Sequence, residues 1–263
     1  MHSLEAIAAK FHYALQKREW PEGGGIDLNE LTLDEAYEVQ GLVADARVRS
    51  GERVVGYKVG CTSEAIRNQL GLSEPICAPL FYPHVQEEGR LLDWSAYANC
   101  GIEPEMALKT SRDIRSKDPS DQELLDSIAY VSPSIELHNY RFWQGKPSSQ
   151  ELICSGGMNA GLVVGQSKAD IGGLRLRDEV FSVYMDGDLI TSAPASEIMG
   201  GPLISLRWLA NRLVERGDYL PKDFWIIPGS PTELVEIDRD VELKVVIDRV
   251  GEVVTQFRKP SAA

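Results

Sequence analysis

A chain of 263 residues, 43% hydrophobic and 25% charged, is long enough to bury a sizeable core without disulfide or metal staples. Its 40 acidic residues against 27 basic ones leave a formal net charge of -13, and no Lys/Arg cluster interrupts that excess, so nucleic acid and anionic membrane surfaces are excluded as expected partners. Cys61, Cys77, Cys100 and Cys154 lie far apart and form no C-x-x-C pair, which fits reduced packing thiols better than a zinc ribbon or a disulfide framework.

Leu4, Ile7, Ala8, Phe11 and Leu15 recur at helical spacing behind Ser3, a good capping residue, and predict an amphipathic first helix. Glu5 and Lys10 fall where a secretory signal needs an unbroken apolar run, and no stretch of about 18 apolar residues follows anywhere; a soluble cytoplasmic protein is expected. Beyond Gly23 to Gly25, Thr32 and Glu35 have capping-box spacing and open a second helix that runs toward Arg49 and stops before Gly51. Val54 to Val59 reads as a short strand, followed by a helix from Thr62 or Ser63 to Gly71. Residues 72–84 contain three prolines and are expected to form a loop, serving either as connecting surface or as a lid. From about residue 85 the texture turns to strands. Asp186-Gly187 suits a type I′ turn between strands at 181–185 and 189–191, and a second hairpin joins 241–247 to 252–257. Between the two hairpins Pro202 begins a helix that Gly217 ends. The fold class is α+β, with a helical N-terminal region and lid loop over 1–85 and a β-rich catalytic domain over 86–263.

Three acidic residues carry most of the chemical information. In an extended strand, Glu103 and Glu105 of Glu103-Pro104-Glu105 share a face, and Glu136, within the apolar stretch Val131 to Leu137, can join them from a neighbouring strand. Three converging carboxylates repel one another unless a cation lies between them, and such hard oxygen donors favour Mg²⁺ or Mn²⁺ over Zn²⁺. The alternative is an ordinary solvated strand face, which short motifs of this kind often are.

Taken in order, Gly56-Tyr57-Lys58-Val59-Gly60-Cys61-Thr62, Ile102-Glu103-Pro104-Glu105 and Pro133-Ser134-Ile135-Glu136 resemble the fumarylacetoacetate hydrolase superfamily, and within it the branch of 2-oxopent-4-enoate hydratases and 4-oxalocrotonate decarboxylases. Ala36-Tyr37-Glu38-Val39-Gln40, Gly200-Gly201-Pro202-Leu203 and Pro228-Gly229-Ser230 extend the likeness over nearly the whole chain. The resemblance implies a rolled, distorted sheet, Mg²⁺ or Mn²⁺ held by Glu103, Glu105 and Glu136, Lys58 in the active site, and a small 2-oxo acid as substrate. A 2-oxo acid chelates a hard cation, which then stabilises the enolate formed beside the ketone. Without the resemblance, a lysine between glycines on a strand reads better as one snorkelling to solvent.

Departures from the family pattern bear on the reaction. Pro75 is followed by Ile76 where the hydratases carry an acid; Asn139 and Ser155-Gly156 replace further acidic positions, which suits a substrate with a second carboxylate. His138 is gained on the strand face of Glu136, where it is either a general base for water or a packing residue. His84, at the end of the expected lid, is a second candidate. Arg141 is read as a substrate-carboxylate ligand or a brace for the glutamates, and Ser230 and Thr232 as substrate contacts or turn formers. On these departures the first expectation is hydrolysis of an acylpyruvate such as maleylpyruvate or fumarylpyruvate. Hydration of a 2-hydroxydienoate and decarboxylation of an oxalocrotonate-like diacid are the alternatives. An inactive relative that only binds a partner is the reading from another class, and the three glutamates with Lys58 argue against it. Apolar and aromatic residues in the second part suit a homo-oligomer.

Overall fold

The structure is a computed structural model that describes residues 3–19, 28–139 and 147–260, apart from the side chain of Asn29. The elements in chain order are α1 (Leu4–Lys17), α2 (Leu33–Arg49), β1 (Arg53–Gly60), α3 (Glu64–Leu70), β2 (Ile76–Tyr82), β3 (Val85–Glu87), β4 (Leu91–Leu92), β5 (Cys100–Thr110), α4 (Asp121–Asp126), β6 (Ile128–Asn139), α5 (Ser149–Cys154), β7 (Asn159–Val164), β8 (Val180–Met185), β9 (Asp188–Pro194), α6 (Pro202–Glu215), β10 (Trp225–Ile227), β11 (Val235–Ile237), β12 (Val241–Ile247) and β13 (Gly251–Phe257). Local chemistry sets the helix ends. Ser3 and Ser63 accept the backbone N–H of Ala6 and Ile66, Thr32 and Glu35 complete a reciprocal capping box, and Gly71 closes α3 in the left-handed region.

The main sheet has the order β2-β1-β10-β5-β6-β7-β3, with β11 beside β5. Its two end strands, β2 and β3, are consecutive in the chain and joined by a short turn, so the sheet curls back toward itself. A second sheet, β4-β13-β12-β8-β9, packs through β12 and β13 against the outside of β6. Strand alternation then divides the curled sheet into two faces. The outer face carries Val59, Ile102, Met106, Leu108, Ile135 and Leu137 into the main core. On the inner face, Leu80, Ala107, Leu162, Val164 and Ile227 form a separate buried apolar cluster. On that face the apolar cluster adjoins the polar residues directly: Ile227 lies opposite Lys58 and Leu162 opposite Glu136.

Two expectations change. Residues 76–82 are not a lid loop but strand β2, paired antiparallel with β1 from Arg53↔Tyr82 to Gly60↔Ile76. Proline obscures this in the sequence, yet β2 is an end strand of the sheet order and Pro79 needs no partner on its open side. A boundary between 85 and 86 accordingly cuts through the sheet, because β1 and β2 belong to it. The hairpins at β8–β9 and β12–β13, and helix α6 behind Pro202, match their sequence signals.

Candidate active site

The site begins with register. Glu103 on β5 lies opposite Glu136 on β6, and Glu105 lies opposite Ser134, so all four side chains face the inside of the curl. Proline is tolerated at position 104 for a specific reason. Strand β11 pairs with β5 only at 100–102 and β10 only at 108–109, which leaves the stretch around Pro104 without a strand on that side. The turn after Pro228 enters this gap, and the Gly229 N–H donates to Glu105 Oε2 at 3.1 Å. Gly229 has φ +122°, and a Cβ there would lie 2.5 Å from the Thr62 methyl, so the approach requires glycine.

Lys58 reaches the same place from β1. In the sheet order β10 and β5 stand between β1 and β6, so the contact crosses the interior of the curl: Lys58 Nζ is 2.7 Å from Glu136 Oε1. Nζ also donates to the Gly157 carbonyl at 3.3 Å, in the turn between α5 and β7. Asn159 Nδ2 donates to Glu136 Oε1 at 2.7 Å, and His138 Nε2 lies 3.1 Å from Glu103 Oε2 and 3.4 Å from Glu136 Oε2. Lys58 is 2% exposed, His138 3%, and Glu105 and Glu136 0%.

Charge at this density shifts the titration of Glu105, Glu136, Lys58 and His138. Burial pushes Glu105 up, and the neighbouring Glu136 and Glu103 push it further, well above the usual carboxylate range. Glu136 opposes its own burial through Lys58 and His138 and is held down to about 2. Burial pulls Lys58 down, but Glu136 and Glu103 outweigh it and raise the ammonium above its ordinary value. His138 likewise overcomes desolvation through Glu136 and Glu103 and rises to about 9.

The donors fit a hard divalent cation. Glu103, Glu136 and His138 each offer a ligand atom within 4.8 Å of the others. Glu136 Oε2 and, beside this group, Glu105 Oε1 are buried without a hydrogen bond, an arrangement that carboxylate oxygens avoid unless something else satisfies them. Oxygen-rich donors of this kind match Mg²⁺ or Mn²⁺.

Glu103, Glu105, Glu136, Lys58 and His138 thus come together as a cluster. His84 does not join it: its ring is 40% exposed and faces Glu52 at 3.5 Å. The Ser230 hydroxyl donates to the Thr232 carbonyl and accepts the Thr232 N–H, so these side chains shape the turn that presents Gly229. Asn139 accepts from the Ala98 N–H, and Ser155 Oγ donates to the Leu152 carbonyl; both serve the backbone. Arg141 lies outside the described residues. Asn159 and the Gly157 carbonyl were missed in the sequence, where the only sign is an Asn entering an apolar strand directly behind Gly156-Gly157-Met158.

No protein-family model matches the chain. It is 25% identical over 228 residues to a 2-keto-4-pentenoate hydratase of Paraburkholderia xenovorans, covering 87% of this chain and 85% of the relative. It is also 25% identical over 231 residues to a 4-oxalocrotonate decarboxylase of Pseudomonas putida, covering 88% of each. Among solved structures, the fold matches 4-oxalocrotonate decarboxylase from Pseudomonas putida G7, complexed with magnesium and adipate, with a TM-score of 0.90, 24% identity and 97% of both chains covered. A fumarylpyruvate hydrolase from Pseudomonas aeruginosa, in complex with Mn²⁺ and pyruvate, matches with a TM-score of 0.60 and 15% identity over 78% of this chain and 90% of that one. In sequence the chain is similar to 2-keto-4-pentenoate hydratases and 4-oxalocrotonate decarboxylases, and its fold is that of the solved 4-oxalocrotonate decarboxylase.

Proposed function

We propose that the chain is a divalent-metal-dependent lyase of aromatic-compound breakdown that decarboxylates an unsaturated 2-oxo diacid of the 4-oxalocrotonate type. The observation that carries this reading is the buried Lys58–Glu136 pair set among Glu103, Glu105 and His138, in a chain related along most of its length to a hydratase and a decarboxylase. Glu103, Glu105 and Glu136 would hold Mg²⁺ or Mn²⁺, which supplies Lewis-acid stabilisation of the enolate of a chelated 2-oxo acid.

The chain's own groups do the rest. Lys58 Nζ has three N–H donors; Glu136 and Gly157 engage two, leaving one for a substrate oxygen whose negative charge grows as the carbon–carbon bond to the departing carboxylate breaks. Carbon dioxide leaves, the bonding electrons pass into the dienolate, and a proton returned to carbon or oxygen completes the product. Ile76 lies against Gly60 and Gly157, the two glycines beside the Lys58 side chain, and puts an apolar wall where the hydratases carry an acid. An apolar wall favours losing a charged carboxylate as neutral carbon dioxide.

Hydration of a 2-hydroxydienoate is the second reading, favoured by the hydratases among the relatives. Acylpyruvate hydrolysis falls behind both. It relied on His138 as a free base, whereas the ring is held between Glu103 and Glu136, and its support among the structures is the more distant match. Product analysis by NMR, with 4-oxalocrotonate and with 2-hydroxypenta-2,4-dienoate in Mn²⁺, tests the proposal. Carbon dioxide from the first is the expected result. Hydration of the second without carbon dioxide from the first selects the second reading, and no turnover of either rejects the lyase.

A further inference from the structure

We infer that His138 is itself a metal ligand, so that the site binds its cation with a nitrogen donor in addition to glutamate oxygens and prefers Mn²⁺ to Mg²⁺. The inference rests on the metal-dependent reading above and concerns the donor set and the choice of ion. His138 follows Glu136 at strand spacing, so the two side chains share the inner face of β6. Its Nε2 stands 3.1 Å from Glu103 Oε2 and 3.4 Å from Glu136 Oε2. Donors at neighbouring corners of an octahedron around an ion with bonds of about 2.1 Å are roughly 3 Å apart, so these separations suit atoms sharing one cation.

Two further observations point the same way. The ring is 3% exposed and buried among carboxylates, so it is not placed to serve solvent. Glu136 Oε2 faces the ring but completes no hydrogen bond with it or with any other described group. With its proton on Nδ1, which is buried without a hydrogen-bond partner, a neutral imidazole turns the Nε2 lone pair toward Glu103 and Glu136, and a cation between the three would engage Nε2 and both carboxylates. An all-oxygen site serves Mg²⁺ well, whereas imidazole nitrogen adds affinity for first-row transition ions, Mn²⁺ the mildest among them.

Electron spin-echo spectroscopy of Mn²⁺ bound to the full chain, with calorimetric titration of Mn²⁺ and Mg²⁺, tests this without an activity assay. The expected result is a ¹⁴N coupling of a directly bound imidazole, absent in His138→Gln and His138→Leu. Both variants should also lose Mn²⁺ affinity by about tenfold or more, with a smaller change for Mg²⁺. Mn²⁺ bound tightly without nitrogen coupling, or equal losses for both ions, would overturn the inference and leave the lyase reading intact. Failure of the wild-type chain to bind Mn²⁺ at all would overturn both. Circular dichroism of the two variants separates lost ligation from lost folding, and Gln at 138 keeps a polar group in the cavity should Leu fail to fold.

Discussion

At Lys58 a charge that burial disfavours is held by Glu136 at 2.7 Å and by the Gly157 carbonyl. Deleting either partner of such a pair leaves the other buried and uncompensated, at about 3–5 kcal/mol, so its catalytic role is better probed through a neighbour. Gly157 has φ +67°, and a Cβ there would lie 2.9 Å from Lys58 Nζ. Gly157→Ala is expected to cost roughly 1–2 kcal/mol through its backbone and, by displacing the ammonium, to lower kcat on the order of 10²-fold. Thermal melts and steady-state rates check both effects, and an unchanged kcat would remove Lys58 from the reaction. The same cluster sets a pH dependence for the metal-free chain. His138, raised from 6.5 to about 9, stabilises the fold fully below its unfolded value and loses that contribution as pH climbs through about 9. Glu105, whose folded value is also raised, acts with the same sign from the carboxylate range upward. Metal-free melting temperatures should therefore fall between about pH 6.5 and 9, and added Mn²⁺ should recover more stability at the upper end, where protons no longer compete for the donors. Flat melting temperatures across that window would contradict the geometry.

At the scale of elements, helix α2 explains why Ala36-Tyr37-Glu38-Val39-Gln40 belongs to the likeness although it carries no chemistry. Gln40 Nε2 donates to the carbonyls of Cys77 on β2 and Ile153 on α5, and the Tyr37 hydroxyl accepts the Cys77 N–H. The helix thereby ties the strand carrying Ile76 to the helix that leads into the Gly156-Gly157 turn. Gln40→Leu removes two buried hydrogen bonds and should destabilise the chain by about 1–3 kcal/mol, readable as a lower urea midpoint at unchanged slope. A midpoint equal to wild type would show that the packing of α1 and α2 suffices without them. Caps, the glycine-marked turns and the strand pair bearing the glutamates were all legible, because each depends on residues close in sequence. β2 was not, since its prolines look like loop chemistry until its place at the end of the sheet order is known.

For the whole molecule, closure of the curl decides which residues meet. Glu103, Glu105 and Glu136 could be grouped from strand spacing because β5 and β6 are neighbours. Lys58 crosses the interior from β1, and Asn159 arrives from β7 on the far side of β6; no periodicity in one strand reports either meeting. The function of His138 was open for the same reason. Its face was predictable, but its position between two carboxylates follows from how tightly the sheet curls. The apolar cluster of Leu80, Ala107, Leu162, Val164 and Ile227 shares the inner face with the charged residues, Ile227 opposite Lys58 and Leu162 opposite Glu136. Among the described residues no helix is long and apolar enough to cross a membrane.

Whether this cluster is a metal-dependent lyase site is read most directly from the initial rate of carbon dioxide release from 4-oxalocrotonate as Mn²⁺ is returned to chelator-stripped protein. No release is expected without metal, with a rate that saturates at one ion per chain and no recovery at the same Mn²⁺ concentrations in Glu103→Gln, which leaves the Lys58–Glu136 pair in place. Release that is indifferent to the chelator, or that survives Glu103→Gln undiminished, would contradict a metal-dependent lyase site.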